Sequence, residues 1–152
     1  MNTPARRRFI TVLAGLAAAP LLRARGARAQ PDPFAPLLMQ VTGGAPVRSG
    51  RVTVDTPRLA DNGHSVPLTV SVESPMTAAD HVRSITLLSE RNPRPLMATF
   101  YLGPKAGRAE VATRVRLASS QRVLAVAQLS DGSYWSGSAE VEVTESACLD
   151  AS

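Results

Sequence analysis

The apolar positions of this chain change rhythm twice. From Phe9 to Leu22 they run together, broken only by Thr11, Gly15 and Pro20. Residues 30–46 form a looser segment in which Phe34–Val41 predicts one short helix, stopped by Gly43-Gly44. Beyond it the period becomes two. Val52 and Val54 lead into Thr56-Pro57, and Val66, Leu68, Val70 and Val72 share a face opposite Thr69, Ser71 and Glu73. His81 to Glu90 carries Ile85 and Leu87. Leu96, Ala98, Phe100 and Leu102 alternate with Met97, Thr99 and Tyr101, and Val111, Thr113, Val115 and Leu117 oppose Glu110, Arg114 and Arg116. Val123 to Leu129 is apolar on both faces, which predicts a central strand. Ala139, Val141 and Val143 close the series against Glu140 and Glu142. Asn62-Gly63, Asn92-Pro93, Gly103-Pro104 and Asp131-Gly132 separate the runs, each with its own turn chemistry. Seven short strands so spaced predict an all-β, immunoglobulin-like sandwich over residues 47–143. The Cys…Trp…Cys signature of antibody domains is not there, so only the architecture is implied.

Charge changes the picture at the N-terminus. The 152 residues carry a formal charge of +5, which invites a nucleic-acid partner until the charges are placed. Arg6, Arg7, Arg8, Arg23, Arg25 and Arg28 supply six of the 17 basic residues within the first 29 positions, where none of the 12 acids lies. The remainder sets 11 bases against 12 acids, a balance that gives no footprint for a phosphate backbone. The basic segment reads as an address. A twin arginine precedes Phe9-Ile10 and the apolar run, and Ala27-Arg28-Ala29 offers a cleavage site before Gln30. Residues 1–29 resemble a twin-arginine export signal, which places the mature protein in the periplasm. The run is too short to span a bilayer, which takes about 20 residues.

Export makes the single cysteine informative. One thiol closes no internal disulfide, so it pairs between molecules or reacts. Cys148 stands beyond the expected strand end at Val143, in a tail of residues 144–152. Five extended residues carry its sulfur roughly 16 Å from the sheet. A thiol on an arm suits a carrier that visits other active sites. It suits an enzyme poorly, since a loose tail fixes neither a base nor an oxyanion hole around it. An unperturbed thiol of pKa ~8.5 is only about 3 % thiolate at pH 7. The alternative is a non-catalytic interaction module, whose cysteine forms an intermolecular disulfide or is incidental.

Several short stretches then point one way. Ala60-Asp61-Asn62-Gly63 with Val66-Pro67 comes first, then Asn92-Pro93-Arg94-Pro95. Thr113-Arg114-Val115-Arg116-Leu117-Ala118 follows with Gln121, then Val126-Ala127 before Ser130-Asp131-Gly132, and last the tail cysteine. In that order and spacing the chain resembles the SoxY family, sulfur-carrier subunits of the periplasmic thiosulfate-oxidising system. The resemblance implies a heterodimer with a SoxZ-like small β-sandwich subunit and Cys148 as the covalent attachment point. It also implies three client enzymes: a haem protein that conjugates thiosulfate to the thiol, a hydrolase that releases sulfate, and a sulfur dehydrogenase. It calls for no metal or cofactor on this chain and no catalysis by it. The tail departs from the family's Gly-Gly-Cys-Gly-Gly. Here Ser146-Ala147-Cys148-Leu149-Asp150 is bulkier, stiffer and more acidic.

The remaining candidates read more plainly. His64 and His81 with Cys148 and a methionine would make a blue-copper set, but the ligands expected just after the cysteine are replaced by Leu149, Asp150, Ala151 and Ser152. Asn92-Pro93-Arg94-Pro95 predicts a rigid turn. Arg114 and Arg116 project from a polar strand face, and Tyr134 and Trp135 serve either core-edge packing or an interface.

Overall fold

In the computed structural model, which describes residues 31–145, a helix and nine strands succeed one another. They are α1 (Ala35–Thr42), β1 (Val47–Ser49), β2 (Val52–Asp55), β3 (Leu59–Asn62), β4 (Val66–Val72), β5 (Val82–Ser89), β6 (Leu96–Tyr101), β7 (Glu110–Val115), β8 (Gln121–Leu129) and β9 (Tyr134–Glu145). A 3-10 turn at Pro104–Ala106 lies between β6 and β7. The strands form two sheets. The smaller is ordered β2-β4-β7. The larger runs β1-β9-β8-β5-β6, with β3 also paired to β9.

The alternating code becomes the space between the sheets. Val66, Leu68, Val70 and Val72 of β4 are all buried, facing Ile85 and Leu87 of β5 and Val123, Ala125 and Ala127 of β8. Two strands break the period. In β6 an extra residue, Met97, opposite the step from Leu87 to Leu88 turns Leu96 out of the face it was expected to share with Ala98 and Phe100. In β5 Val82 and Ile85 both point inward. There the register explains it: Val82 faces Leu129 but Ser84 faces Gln128, so Arg83 is an extra residue, a bulge that resets the faces.

β8 is apolar on both sides because it is covered on both. Its outer face, with Leu88 of β5, carries α1. Phe34, Leu37, Leu38 and Val41 recur at helical spacing and pack on Leu88, Leu124, Val126 and Tyr134. Burying Phe34 contributes about 2–3 kcal/mol to this attachment. Asp32 starts the helix by accepting from the Phe34 N–H (3.2 Å), and Gly43 ends it at φ 63°. Arg122 of β8 fastens the same turn, bonding Asp32 at 2.9 Å and lying 4.8 Å from the Phe34 ring centre.

Two strands exceed the seven expected. β1 and β3 are short and pair in parallel with the two ends of β9, Val47–Ser49 against Tyr134–Ser136 and Leu59–Asn62 against Glu142–Glu145. Between them the chain crosses to the smaller sheet as β2. That crossing passes over Gly137, where a Cβ would overlap the Val52 carbonyl oxygen. β9 is also longer than the expected Ala139–Val143 at both ends. Tyr134–Gly137 pair with Ala125–Gln128 of β8, and β3 holds the far end out to Glu145. No described helix is long and apolar enough to cross a membrane.

Candidate functional site

Cys148 lies outside the described residues. What the structure shows is the end of the sandwich from which its tail extends. β9 does not stop at Val143. Thr144 Oγ1 donates to the carbonyls of Ala60 and Asp61, and the Glu145 carbonyl accepts the Gly63 N–H at 3.0 Å. Gly63 in turn accepts the Leu117 N–H at 2.8 Å. From the other side, Ser120 Oγ accepts the Val143 N–H at 2.9 Å and donates back to its carbonyl at 3.4 Å. Two residues expected in the arm are therefore strand, because β3 and the β7–β8 loop grip the last turn of the ladder.

A second set of bonds ties that grip into the sheet. Asn92, in the β5–β6 turn, donates from Nδ2 to the Arg116 carbonyl (2.8 Å). Its Oδ1 accepts from the Ala118 N–H (2.9 Å) and Gln121 Nε2 (3.0 Å). Gln121 is buried, and its Oε1 accepts the Arg91 N–H at 2.9 Å. The expected rigid turn is thus also a clamp joining two loops. Replacing Asn92 by alanine removes three bonds and strands partly buried partners. We expect Asn92→Ala to lose about 2 kcal/mol, read as a fall of roughly 8 °C in Tm in thermal denaturation.

The motif residues sort cleanly by position. Asp61-Asn62-Gly63, Asn92, Ala118 and Gln121 all converge on the end of β9, whereas Asp131-Gly132 sits in the β8–β9 turn at the opposite end. There, Ser133 hydroxyl and N–H bonds hold the Asp131 carboxyl below the usual range, helped by Arg51 and Arg48. Trp135 packs on the core edge with its Nε1–H on Ser133 (3.1 Å) and with Arg51 and Arg48 at 5.0 and 5.6 Å from its ring centre. Of its two expected roles, packing is the one displayed. Tyr134 packs beneath α1.

The histidines are not brought together. His64 is exposed beside the end of β9, its N–H on Asn62 Oδ1, while His81 stands just before β5 at the far end, its Nδ1 3.1 Å from the Thr77 carbonyl. Among the described residues, no three His, Cys, Asp or Glu side chains approach closely enough to hold a metal ion. Arg114 rests on Ser65, its Nε 2.7 Å from the hydroxyl. A groove of about 900 Å³ borders the grip, but Arg58, Arg91 and Arg122 alternate there with Glu90, Glu140 and Glu142, so it offers a dianion no net attraction. Sequence reasoning missed Ser120 and Thr144, whose roles depend on pairing with β3 and β9 rather than on any local pattern.

These features describe a scaffold that fixes one strand end just short of a cysteine. The sequence pattern of the family described as sulfur oxidation protein SoxY matches residues 38–148, a span that takes in both the grip and Cys148. The chain belongs to the SoxY family. Among solved structures, the sulfur carrier protein SoxY from Chlorobium limicola is similar over 72% of this chain and 94% of its own, at 26% identity and a TM-score of 0.61. The SoxY fold is shared more widely. The superoxide reductase (neelaredoxin) of Ignicoccus hospitalis covers 62% of this chain with 80% of its own, at 20% identity and a TM-score of 0.55. That of Nanoarchaeum equitans covers 63% with all of its own, at 12% and 0.53. At such identities the likeness is one of fold alone. No curated protein matches the sequence.

Proposed function

We propose that this protein is a covalent carrier in sulfur oxidation, holding thiosulfate-derived intermediates on Cys148 and presenting them to partner enzymes. The observation that carries the reading is the SoxY match through residue 148 on a chain whose last described strand is gripped three residues earlier. A carrier needs a rigid body and a short leash. A thiol at its ordinary pKa also needs its activation from the client's site rather than its own.

The carried chemistry balances as follows. The thiolate joins the outer sulfur of thiosulfate in an S–S bond, and two electrons pass to a haem-containing partner. A hydrolase adds water to the terminal sulfonate, releasing sulfate and leaving a persulfide. A dehydrogenase takes six electrons as three waters supply the oxygens of a new sulfonate, and a second hydrolysis returns the thiol. Every reacting group except the cysteine belongs to a client. The twin-arginine leader supports a periplasmic setting, and the family supports a SoxZ-like subunit as the standing partner. Protein isolated from cells growing on thiosulfate should show, by intact mass, adducts on Cys148 that a reductant removes. Only free thiol at that position would overturn the reading.

A further inference from the structure

Two arginine-bearing stretches that stood out in the sequence, Asn92-Pro93-Arg94-Pro95 and Thr113-Arg114-Val115-Arg116, meet in one hollow. It holds about 290 Å³ where the β6 edge of one sheet lies beside the β7 edge of the other, next to the Asn92 clamp. Arg94, Arg114 and Arg116 line it, and no carboxylate does. The larger groove alternates arginines with glutamates, whereas this one carries positive charge only. Buried Leu87 and Val115 and half-buried Met97 supply its apolar lining. The three guanidinium groups stand on fixed backbone or fixed partners. Arg94 is held between two prolines, the Arg116 carbonyl accepts Asn92 Nδ2 at 2.8 Å, and Arg114 Nε bonds Ser65 at 2.7 Å. Among the described residues none of the three has an acidic partner, the one ion pair there being Arg122 with Asp32. Like charges so gathered repel one another, and an anion bound among them relieves that repulsion.

We propose that this hollow is an oxyanion subsite on the carrier itself, taking the sulfonate end of thiosulfate, either free or conjugated to Cys148. The inference deepens the carrier reading and rests on it. A sulfonate offers its oxygens to N–H donors, and guanidinium groups meet such oxyanions in paired, charge-assisted hydrogen bonds. Both sulfonate-bearing intermediates of the proposed cycle end in this group. The hollow also lies within the tether's reach. The Glu145 carbonyl accepts the Gly63 N–H, and the Gly63 carbonyl accepts the Leu117 N–H. Two such steps between neighbouring strands span roughly 10 Å, about the distance that three residues of chain extend. Arg116 immediately precedes Leu117, so a sulfonate carried on Cys148 can meet the rim that Arg116 supplies.

The test uses the full mature chain. In the Cys148→Ser variant, which takes no conjugate, thiosulfate should shift the amides of Arg94, Arg114, Val115 and Arg116 in a saturable NMR titration. Arg94→Gln with Arg116→Gln should weaken that binding about tenfold or more at unchanged Tm. Lys105→Gln with Arg108→Gln removes the same charge from the β6–β7 connection, outside the hollow, and should bind as the parent does. Tetrathionate converts the Cys148 thiolate of the wild-type chain to its –S–SO3⁻ adduct and releases thiosulfate. After desalting, the hollow amides of that adduct should already be shifted, and added thiosulfate should bind at least about tenfold more weakly. Thiosulfate binding with no response to the adduct would support the subsite and assign it to the free anion. No shift in either arm, or equal weakening by both double variants, would overturn the subsite and leave the carrier reading standing. Absence of adducts on Cys148 in cells growing on thiosulfate is a separate failure, of the carrier reading itself.

Discussion

Cys148→Ser is expected to abolish thiosulfate-dependent turnover by the reconstituted system while leaving the fold intact. The exchange removes one atom's chemistry and almost no volume. A serine oxygen forms no S–S bond, so neither the conjugate nor the persulfide has anywhere to reside. A nucleophile merely slowed would still turn over, but a carrier that cannot be loaded cannot. The rate should therefore fall at least ~1,000-fold, to background, in an assay of sulfate release. Because the grip on β9 runs through Val143, Thr144 and Glu145, the Tm should move by less than about 1 °C. Turnover by the serine variant would show that the cysteine is incidental.

The largest structural effect should come from one methyl group. Gly137→Ala gains about 0.5–1 kcal/mol from reduced backbone entropy in an extended strand. Against that, its Cβ overlaps the carbonyl oxygen of Val52 and lies 3.3 Å from the Val52 Cβ. The obstructing atom is backbone, tied into β2 by the antiparallel register of Val52–Asp55 with Thr69–Val72. It cannot swing aside as a side chain would, so the sheets must separate locally. The net loss should be about 3 kcal/mol, a fall of roughly 12 °C in Tm by calorimetry. Gly103→Ala is the control: its φ of −148° is ordinary extended backbone and nothing lies within 4 Å of the new methyl. A Tm for Gly137→Ala no lower than for that control would mean that β2 does not cross so close.

Much of this architecture could be read from spacing alone. Val66 to Val72 alternates because one face meets the other sheet. Val123 to Leu129 does not, because α1 covers its second face, and the doubly apolar run announced a central strand correctly. The illegible parts owe their existence to distant partners. Val47-Arg48-Ser49 and Leu59-Ala60-Asp61-Asn62 have no strand signature of their own and become β1 and β3 by pairing with β9. That Val82 points inward along with Ile85 depends on a bulge at Arg83, which leaves no mark in a single sequence. At the candidate site, the Asn-Gly and Asn-Pro turns were visible as turns. Their joint use, closing Asn92 onto Gln121 and Gly63 onto Glu145, required the fold to bring residues some 30 and 80 positions apart together.

The extension of β9 to Glu145 also works as a depth gauge. With the ladder held to that residue, only three links of sequence separate the end of β9 from Cys148, at most about 10 Å of chain. A tether of that length cannot fish at a distance. If Cys148 carries cargo as proposed, an enzyme that works on it must press its entrance against the blunt end formed by the Asn62, Asn92 and Ser120 loops, and its reactive centre must lie shallow. On the carrier reading proposed above, clients are selected by the contour of their doorways before any sulfur chemistry begins.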